Sequence, residues 1–250
     1  MSSNHFIDIK GLVKKYPHAE ANAVDGLDLQ IRQGEIFGLL GPNGAGKTTT
    51  ISILCGLLPA TSGNISIHGM SLTDHPNKVK QLMGVVPQEM ALFDKLTARE
   101  NLIFFGKMYG LSGKYLKETT ENYLERFGLK DRMNHRIGNF SGGMKRRINL
   151  IAGILHHPEI VFLDEPTVGI DVHSRHVILE FLKEINQQGT TILYTSHHLN
   201  EAENLCDRIG IIDYGKLMMT GQPKELIAQH IGCLNLEDLF LHLTGRKLRD

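Results

Sequence analysis

The stretch Gly41-Pro-Asn-Gly-Ala-Gly-Lys-Thr48 decides how this sequence is interpreted. It follows an apolar run, Ile36 to Leu40, which predicts a buried strand, and it leads into a helical pattern predicted over Lys47 to Leu58. A strand, a GxxxxGK(S/T) loop and a helix in this order predict a phosphate-binding loop, because glycines let backbone N–H groups turn toward phosphate oxygens. Lys47 would reach the outer phosphates, and the hydroxyl of Thr48 would reach Mg2+.

Two acidic residues end a second predicted strand. Ile160 to Leu163 is a continuous apolar run, and Asp164 and Glu165 follow it directly before a proline. The end of a buried strand suits a metal site, so Asp164 would hold Mg2+. Glu165 would accept a proton from the water that attacks the terminal phosphate. The alternative is a helix-capping Asp beside a solvent-exposed Glu.

The composition excludes several classes of protein. The chain has 250 residues, 41% of them hydrophobic, which predicts a globular domain rather than disorder, collagen or a coiled coil. Its 27 Lys and Arg residues balance 27 Asp and Glu residues, which argues against binding to nucleic acid through a basic face. The odd set Cys55, Cys206 and Cys233 predicts three buried, reduced thiols rather than disulfides or a zinc site. There is no secretory signal, and no apolar run approaches the roughly 20 residues that span a bilayer, so we expect a cytoplasmic protein.

Other segments of the sequence predict the remaining elements. Alternating apolar and polar residues predict half-exposed antiparallel strands at residues 6–10, 23–31 and 64–68. A further buried parallel strand is predicted at 191–194. Helical patterns cover 141–157, 174–188 and most of 97–127. The end of the chain predicts a hairpin of strands 209–213 and 216–220, followed by packed helices.

Between the phosphate loop and the acids lies Phe140-Ser-Gly-Gly-Met-Lys-Arg-Arg147, which resembles the signature of ABC ATPases. The resemblance covers almost the whole chain and includes six motifs in the family's order: the phosphate loop, Gln88 in Val-Val-Pro-Gln, the signature, Leu-Asp-Glu165, Gly169-Ile-Asp171, and His197 in Tyr-Thr-Ser-His. It implies an α/β fold of the P-loop NTPase class, an ABC ATPase cassette with a mixed core sheet and an N-terminal antiparallel β subdomain. A helical signature subdomain would cover about residues 89–158. The cassette would occupy residues 1–222, with residues 223–250 as a C-terminal helical extension packed on it.

The resemblance also implies roles for individual residues. Tyr16 would stack on adenine, although a Tyr before a Pro is also typical of packing at a strand end. Gln88 would sense Mg2+ and water, although a lone Gln in a loop is commonly solvated. His197, rather than the adjacent His198, would hold the terminal phosphate and orient Glu165. ATP would be bound by the phosphate loop and the residue after it, namely Gly41, Pro42, Asn43, Gly44, Ala45, Gly46, Lys47, Thr48 and Thr49.

The signature implies a dimer of ATPase subunits, either homodimeric or heterodimeric. Ser141 can cap the next helix, which leaves the N–H groups of Gly142 and Gly143 available to an anion. In the family this anion is the ATP of the opposite subunit, and Asp171 resembles the residue that crosses the interface. A helix cap without an anion is the alternative for Ser141. Met144 stands where the commonest signature has Gln, a form familiar in the branch that serves ABC-2 type exporters.

The function implied is that of an ATP-hydrolysing subunit that powers export through a separate integral-membrane permease of the ABC-2 type. The chain would lie peripherally on the cytoplasmic face of the cell membrane. One alternative is a soluble ABC-type ATPase that acts on nucleic acid or ribosomes, but such relatives usually carry two cassettes or a long insertion. Another is a nucleotide-gated binding module without turnover, which the presence of Glu165 and His197 disfavours. We expect Lys145, Arg146 and Arg147 to form a solvated helix face, with the Arg stems packed on neighbouring residues, rather than a nucleic-acid patch.

Overall fold

Two β-sheets organise the chain, for which a computed structural model describes residues 5–245. Residues 1–4 and 246–250, which include the ends of both predicted domains, lie outside the described residues. The strands of the described part are β1 His5–Lys14, β2 Val24–Arg32, β3 Ile36–Leu40, β4 Ser62–Ile67, β5 Met70–Ser71, β6 Met83–Val86, β7 Ile160–Asp164, β8 Thr191–Ser196, β9 Arg208–Asp213 and β10 Lys216–Gly221.

The first sheet is antiparallel and has the order β2-β1-β4-β5. It contains the three N-terminal strands that residue alternation predicts. Ile7 and Ile9 of β1 are buried, whereas the intervening Asp8 is partly exposed, as expected for a sheet with one face in the core. This sheet forms the predicted antiparallel subdomain.

The second sheet is mixed and has the order β10-β9-β3-β8-β7-β6. Strands β6, β7, β8, β3 and β9 run parallel, and β10 returns antiparallel to β9 at the edge. The C-terminal hairpin is therefore part of the core sheet, which its sequence pattern did not indicate. Strand β6 was missed because Met-Gly-Val-Val is too short to show a period. The carboxyl ends of β3, β7 and β8 lie side by side, and parallel sheets form ligand sites at that edge.

Nine α-helices of the described residues surround the sheets: α1 Lys47–Leu54, α2 Pro76–Gln81, α3 Ala98–Met108, α4 Gly113–Arg126, α5 Gly142–Ile154, α6 Val172–Gln187, α7 Leu199–Leu205, α8 Pro223–Ala228 and α9 Leu236–Thr244. Two predicted helices end early. Helix α1 stops at Leu54 rather than Leu58, because Gly56 adopts a φ of 65°. Helix α5 stops at Ile154 rather than His157, which itself has a φ of 53° and precedes a proline.

The core sheet separates two hydrophobic layers. Phe37 and Leu39 of β3 pack with the antiparallel sheet and α1, whereas Ile36 and Leu40 pack with the helices on the opposite face. This alternation follows from the two-residue period of a strand. Helix α9 contributes Leu236, Leu239 and Phe240 to the helical layer, and its first N–H donates to Glu203 Oε2 of α7 at 2.9 Å. The C-terminal helices are thus attached to the core next to the segment that follows β8.

Two of the three free thiols are buried as expected, and the third is not. Cys55 and Cys206 are buried, and burial raises the pKa of Cys55 to about 12 and the pKa of Cys206 further. Cys233 is only half-buried, because it lies in the turn between α8 and α9 rather than within a packed element. In residues 5–245, no helix has the length and apolar composition needed to span a bilayer.

Candidate functional site

The phosphate loop connects β3 to α1 as predicted. Gly46 precedes the first helical residue with a φ of 106°, and a Cβ there would lie 2.4 Å from the carbonyl oxygen of Ala23. A Cβ at Gly41 would lie 2.3 Å from the carbonyl oxygen of Ile212. Both positions require glycine, because neighbouring backbone occupies the space of a side chain. Asn43 and Gly44 are exposed at the tip of the loop, and Ala45 is buried beneath it.

Lys47 is buried in the loop. Its ammonium group donates to the carbonyl oxygens of Gly41 at 2.8 Å and Pro42 at 3.1 Å. It also lies 3.9 Å from Glu165 Oε1. Burial lowers the pKa of Lys47, and the negative charges of Glu165 and Asp164 oppose that shift. The lysine is thus held between the phosphate loop and the acids.

Glu165 is the point where four separate motifs meet. Gln88 Nε2 donates to Glu165 Oε2 at 3.3 Å, and His197 Nδ1 lies 3.2 Å from the same oxygen. Gln88, Glu165 and His197 lie in the loops after β6, β7 and β8, and Lys47 is the first residue of α1, which follows the loop after β3. The structure therefore brings together Lys47, Gln88, Glu165 and His197, whose proximity the sequence order alone does not reveal. His198, the rejected neighbour of His197, precedes α7 as its cap residue.

Both acids are buried, which rules out a solvent-exposed Glu165 as the alternative. Asp164 ends β7, and Glu165 follows it with a φ of 48°, a left-handed conformation that is uncommon for residues with a side chain. The hydroxyl of Thr195 donates to Asp164 Oδ1 at 2.7 Å and accepts the N–H of Glu165 at 3.1 Å. Thr195 was not among the predicted site residues. The one sequence feature that could have indicated Thr195 is its position two residues before His197, on the strand β8 that pairs with β7.

Three further predicted residues lie at or near the start of α1: Tyr16, Thr48 and Thr49. The hydroxyls of Tyr16 and Thr49 are 3.3 Å apart, and the side chain of Tyr16 is 41% exposed. An accessible ring next to the phosphate loop is able to stack on a base. Thr48 is exposed at the first turn of α1.

The protein offers few ligands for a Mg2+ ion beside the phosphate loop. The described residues contain no group of three or more His, Cys, Asp or Glu side chains able to hold a metal ion. The hydroxyl of Thr48, the carboxylate of Asp164 and the amide of Gln88 are hard oxygen donors, which fit Mg2+. Such a sparse set fits an ion that takes its other ligands from nucleotide phosphates and water.

The signature forms a second cluster with Asp171. Ser141 caps α5 by accepting the N–H of Met144 at 3.3 Å, and Asp171 caps α6 by accepting the N–H of Ser174 at 2.8 Å. A Cβ at Gly143 would lie 2.7 Å from Asp171 Oδ2, so the two caps are adjacent. Ser141, Gly142 and Asp171 are exposed. Hydrogen bonds from Ser174 hold the pKa of Asp171 below its ordinary value. Among residues 5–245, no hydrogen bond links this cluster to the phosphate loop.

The basic residues after the signature are not the solvated face that we expected. Arg146 is 3% exposed, and its guanidinium donates to the carbonyl oxygens of Pro87 at 3.2 Å and Gln88 at 2.8 Å. Arg147 donates to the carbonyl oxygen of Phe127, and Lys145 pairs with Asp94. The arginines pack on neighbouring residues as expected, but Arg146 is not solvated, because the first turn of α5 faces the Gln88 loop. Arg146 thereby ties that loop to the signature helix.

A buried polar network surrounds Glu201 of α7. Its Oε2 accepts the hydroxyls of Tyr194 at 2.6 Å and Thr167 at 2.7 Å, and its Oε1 lies 3.2 Å from Arg175 Nε. Burial, followed by the negative charge of Glu201, raises the pKa of Tyr194 well above its ordinary value. The network joins β8, α6, α7 and the loop after Glu165. The network was not predicted, because no spacing rule marks a set of single residues from four segments of the sequence.

The known proteins that this chain resembles in sequence include parts of ABC transporters and ATP-binding proteins of resistance and export. The family described as ABC transporter matches residues 24–168. Linearmycin resistance ATP-binding protein LnrL of Bacillus subtilis (strain 168) is 50% identical over 215 residues, which are 86% of this chain and 69% of that protein. Nod factor export ATP-binding protein I of Rhizobium sp. (strain N33) is 39% identical over 231 residues, 92% of this chain and 75% of that protein.

Solved structures agree with the fold. The structure of an ATP binding subunit of an ABC transporter, 30% identical, has a TM-score of 0.86 and covers 96% of this chain and 99% of that chain. A dimeric ATP-binding cassette in a post-hydrolysis state, bound to ADP and Pi, is 26% identical with a TM-score of 0.78 and covers 86% of this chain and 98% of that chain. The predicted cassette fold is confirmed. The chain belongs to the ABC transporter family, as an ATP-binding subunit that hydrolyses ATP.

Proposed function

We propose that Glu165 is the general base of ATP hydrolysis at this site. The observation that carries the proposal is the convergence of Lys47, Gln88 and His197 on the Glu165 carboxylate. Lys47 would balance the charge of the outer phosphates, and His197 would hold the terminal phosphate and keep Glu165 directed at the attacking water. Gln88 would orient that water.

The remaining predicted residues would bind the nucleotide. Residues 41–49 would surround the phosphates at the start of α1, mainly through their backbone N–H groups, which all of them except Pro42 possess. Tyr16 would stack on adenine. Mg2+, when bound, neutralises phosphate charge, and Thr48, Asp164 and Gln88 would hold it. ATP would thus occupy the exposed side of the loop between Tyr16 and the acids. We assign the cassette to residues 1–222 and a helical extension to residues 223–250.

We further propose that two ATPase subunits bind ATP between them. Ser141, Gly142 and Asp171 are exposed, and they make no hydrogen bond to the phosphate loop within residues 5–245 of the same chain. A signature from a second subunit would supply the missing side of each site, in a two-fold arrangement. Hydrolysis removes the phosphate that both subunits contact, so the pair loosens.

The transport partner is proposed to be an integral-membrane permease of the ABC-2 type, with export as the direction. A resistance protein and an export protein among the relatives support export, and neither supports the nucleic-acid alternative. The chain would then lie on the cytoplasmic face of the membrane.

An exposed aromatic cluster suits the permease contact. Phe93 is 46% and Phe104 is 42% exposed, and their ring centroids are 5.0 Å apart. Asn101 fixes the loop by accepting the N–H of Phe93 at 2.8 Å and donating to its carbonyl oxygen at 3.1 Å. Exposed aromatic side chains held in place are typical of protein interfaces. The cluster follows the Gln88 loop in sequence, so the partner would bind close to the site.

The experiment is the substitution Glu165→Gln, with Glu118→Gln on the exposed face of α4 as the matched control. Removing the base should lower ATP turnover at least about 100-fold. ATP binding should persist, and ATP should trap a dimer that size-exclusion chromatography detects. The control should match the unsubstituted chain in turnover and in mass. Full turnover by the Glu165→Gln variant would exclude the assigned role.

A further inference from the structure

Strands β7 and β8 place one hydroxyl beside both acids. The two strands are parallel, and their register pairs Asp164 directly with Thr195. Thr195 is fully buried, and Asp164 and Glu165 are 4% and 7% exposed. A fixed register between two buried strands leaves the Thr195 hydroxyl in one place relative to the acids.

The hydroxyl of Thr195 donates a hydrogen bond to the side chain of Asp164 and accepts one from the backbone of Glu165. A hydroxyl has one proton to donate, and the nearest acceptor is Asp164 Oδ1 at 2.7 Å, whereas the carbonyl oxygen of Leu163 is 3.3 Å away. The same oxygen accepts the backbone N–H of Glu165 at 3.1 Å. One group therefore orients the side chain of Asp164 and the backbone of Glu165 together.

The backbone at Glu165 needs such support. Its φ of 48° is unfavourable for a residue with a Cβ, and such conformations persist only where surrounding contacts hold them. The conformation sets the direction in which the carboxylate of Glu165 leaves the chain. Without the acceptor at Thr195, the buried N–H would be unpaired and the backbone would be free to relax.

We propose that Thr195 is a positioning residue for ATP hydrolysis. It orients the Asp164 carboxylate toward Mg2+ and fixes the backbone from which Glu165 reaches the attacking water. The inference rests on the roles proposed above for Asp164 and Glu165. It goes beyond them because the hydroxyl of Thr195 contacts Asp164, the N–H of Glu165 and the carbonyl oxygen of Leu163, so it would act through the two acids.

The test compares Thr195→Val, which keeps the shape and removes the hydroxyl, with Thr195→Ser, which keeps the hydroxyl. Thr191→Val is the matched control, because Thr191 on the same strand is also fully buried and accepts the N–H of Gly34 at 3.0 Å, away from the acids. Glu165→Gln serves as the reference for the site itself. The readouts are kcat, KM for ATP, the Mg2+ concentration that half-saturates binding of a fluorescent ATP analogue, and the melting temperature.

Thr195→Val should lower kcat about 10- to 100-fold, and it should raise the half-saturating Mg2+ concentration several-fold, at nearly unchanged KM. Thr195→Ser should restore both values to within about 3-fold of the unsubstituted chain. Thr191→Val should lower the melting temperature and leave kcat and the Mg2+ dependence unchanged. If Thr195→Val does not fold, Thr195→Ala takes its place with the same expected values.

Two results would overturn the inference. One is a Thr195→Val variant with normal kcat and Mg2+ dependence. The other is a Thr195→Ser variant as defective as Thr195→Val, since that would assign the effect to packing. Loss of turnover in Glu165→Gln combined with a normal Thr195→Val rejects the role of Thr195 alone. Undiminished turnover in Glu165→Gln rejects the site assignment on which it rests.

Discussion

Gly143 shows how closely single residues are fitted around the signature. A Cβ at this position would lie 2.3 Å from Ser174 Oγ and 2.9 Å from Ser174 Cβ, so rotation of the serine would not make room. At the adjacent Gly142 the nearest atom is the carbonyl oxygen of Gly169, at 3.8 Å. Two neighbouring glycines therefore have different reasons to be present. Gly143 is required by packing, whereas Gly142 leaves its N–H in an exposed position.

The substitution Gly143→Ala should lower the free energy of unfolding by about 1–3 kcal/mol, because the added methyl group overpacks the contact between α5 and α6. Gly142→Ala is the control, and it should change the stability by less than about 0.5 kcal/mol. Urea unfolding of the nucleotide-free chain measures both. Equal losses for the two variants would contradict the packing argument.

The residues that were predictable are those whose chemistry requires a fixed spacing. Lys47 and Thr48 follow from the glycine loop, and Asp164 and Glu165 follow from the end of an apolar run. Thr195 and Arg146 were not predictable, because each acts through a residue that is distant in sequence. Thr195 contacts Asp164, and Arg146 contacts the carbonyl oxygen of Gln88. A threonine on a strand and an arginine on a helix carry no signature of such contacts.

At the scale of elements, helix α6 begins at a charged cap, Asp171. Asp171 accepts both the N–H and the hydroxyl of Ser174, and these bonds lower its pKa below the ordinary 3.8. A carboxyl whose pKa is lower in the folded than in the unfolded chain adds stability above its unfolded pKa. That stability is lost as the pH falls through the folded pKa.

The substitution Asp171→Asn should therefore flatten the acid dependence of stability. Asparagine also caps helices well, so the two chains should have similar stability near neutral pH. Between about pH 5 and about pH 3 the unsubstituted chain should lose more stability than the variant, since only the aspartate is protonated. Urea unfolding at a series of pH values measures the difference. If the free energies of unfolding of the two chains fall in parallel as the pH is lowered, the charge of Asp171 does not contribute to stability.

Elements were predicted best where the pattern was long. The alternation in β1 and β2 and the helical period of α6 identified these elements to within a few residues. The four residues of β6 were missed because tertiary pairing with β7, rather than a local pattern, makes them a strand. The predicted and observed ends of helices differed where the backbone conformation ends the helix, as at Gly56, whose φ is left-handed.

At the scale of the whole molecule, the aromatic cluster proposed for permease binding, Phe93 and Phe104, shares no residue with the proposed ATP site. We expect the double substitution Phe93→Ser with Phe104→Ser to weaken permease binding at least about 10-fold, because exposed aromatic side chains contribute most to protein interfaces. ATP binding by the isolated subunit should persist. Tyr115→Ser on α4, where the side chain is 53% exposed, is the control. Co-purification with the membrane partner measures the effect, and undiminished recovery of the partner would place the interface elsewhere.

The overall arrangement was predicted more fully from motif order than from periodicity. The order of the motifs implied the cassette and its two subdomains, and the structure and the relatives confirm that fold. The attachment of the C-terminal helices to α7 was not predicted in detail. The bond from the N–H of Leu236 to Glu203 joins segments that are far apart in sequence, and residue patterns do not report such pairings.

The unequal burial of the cysteines makes the chain suitable for site-selective labelling without any substitution. The thiolate is the nucleophile that attacks an electrophilic thiol reagent, and burial disfavours the thiolate at Cys55 and Cys206. Cys233, half-buried in the turn between α8 and α9, is left as the accessible thiol among the described residues. A fluorophore attached there sits at the start of α9, the helix bonded to α7, and α7 directly follows the His197 segment. Its emission would report whether nucleotide changes at the site are transmitted through α7 to the C-terminal helices.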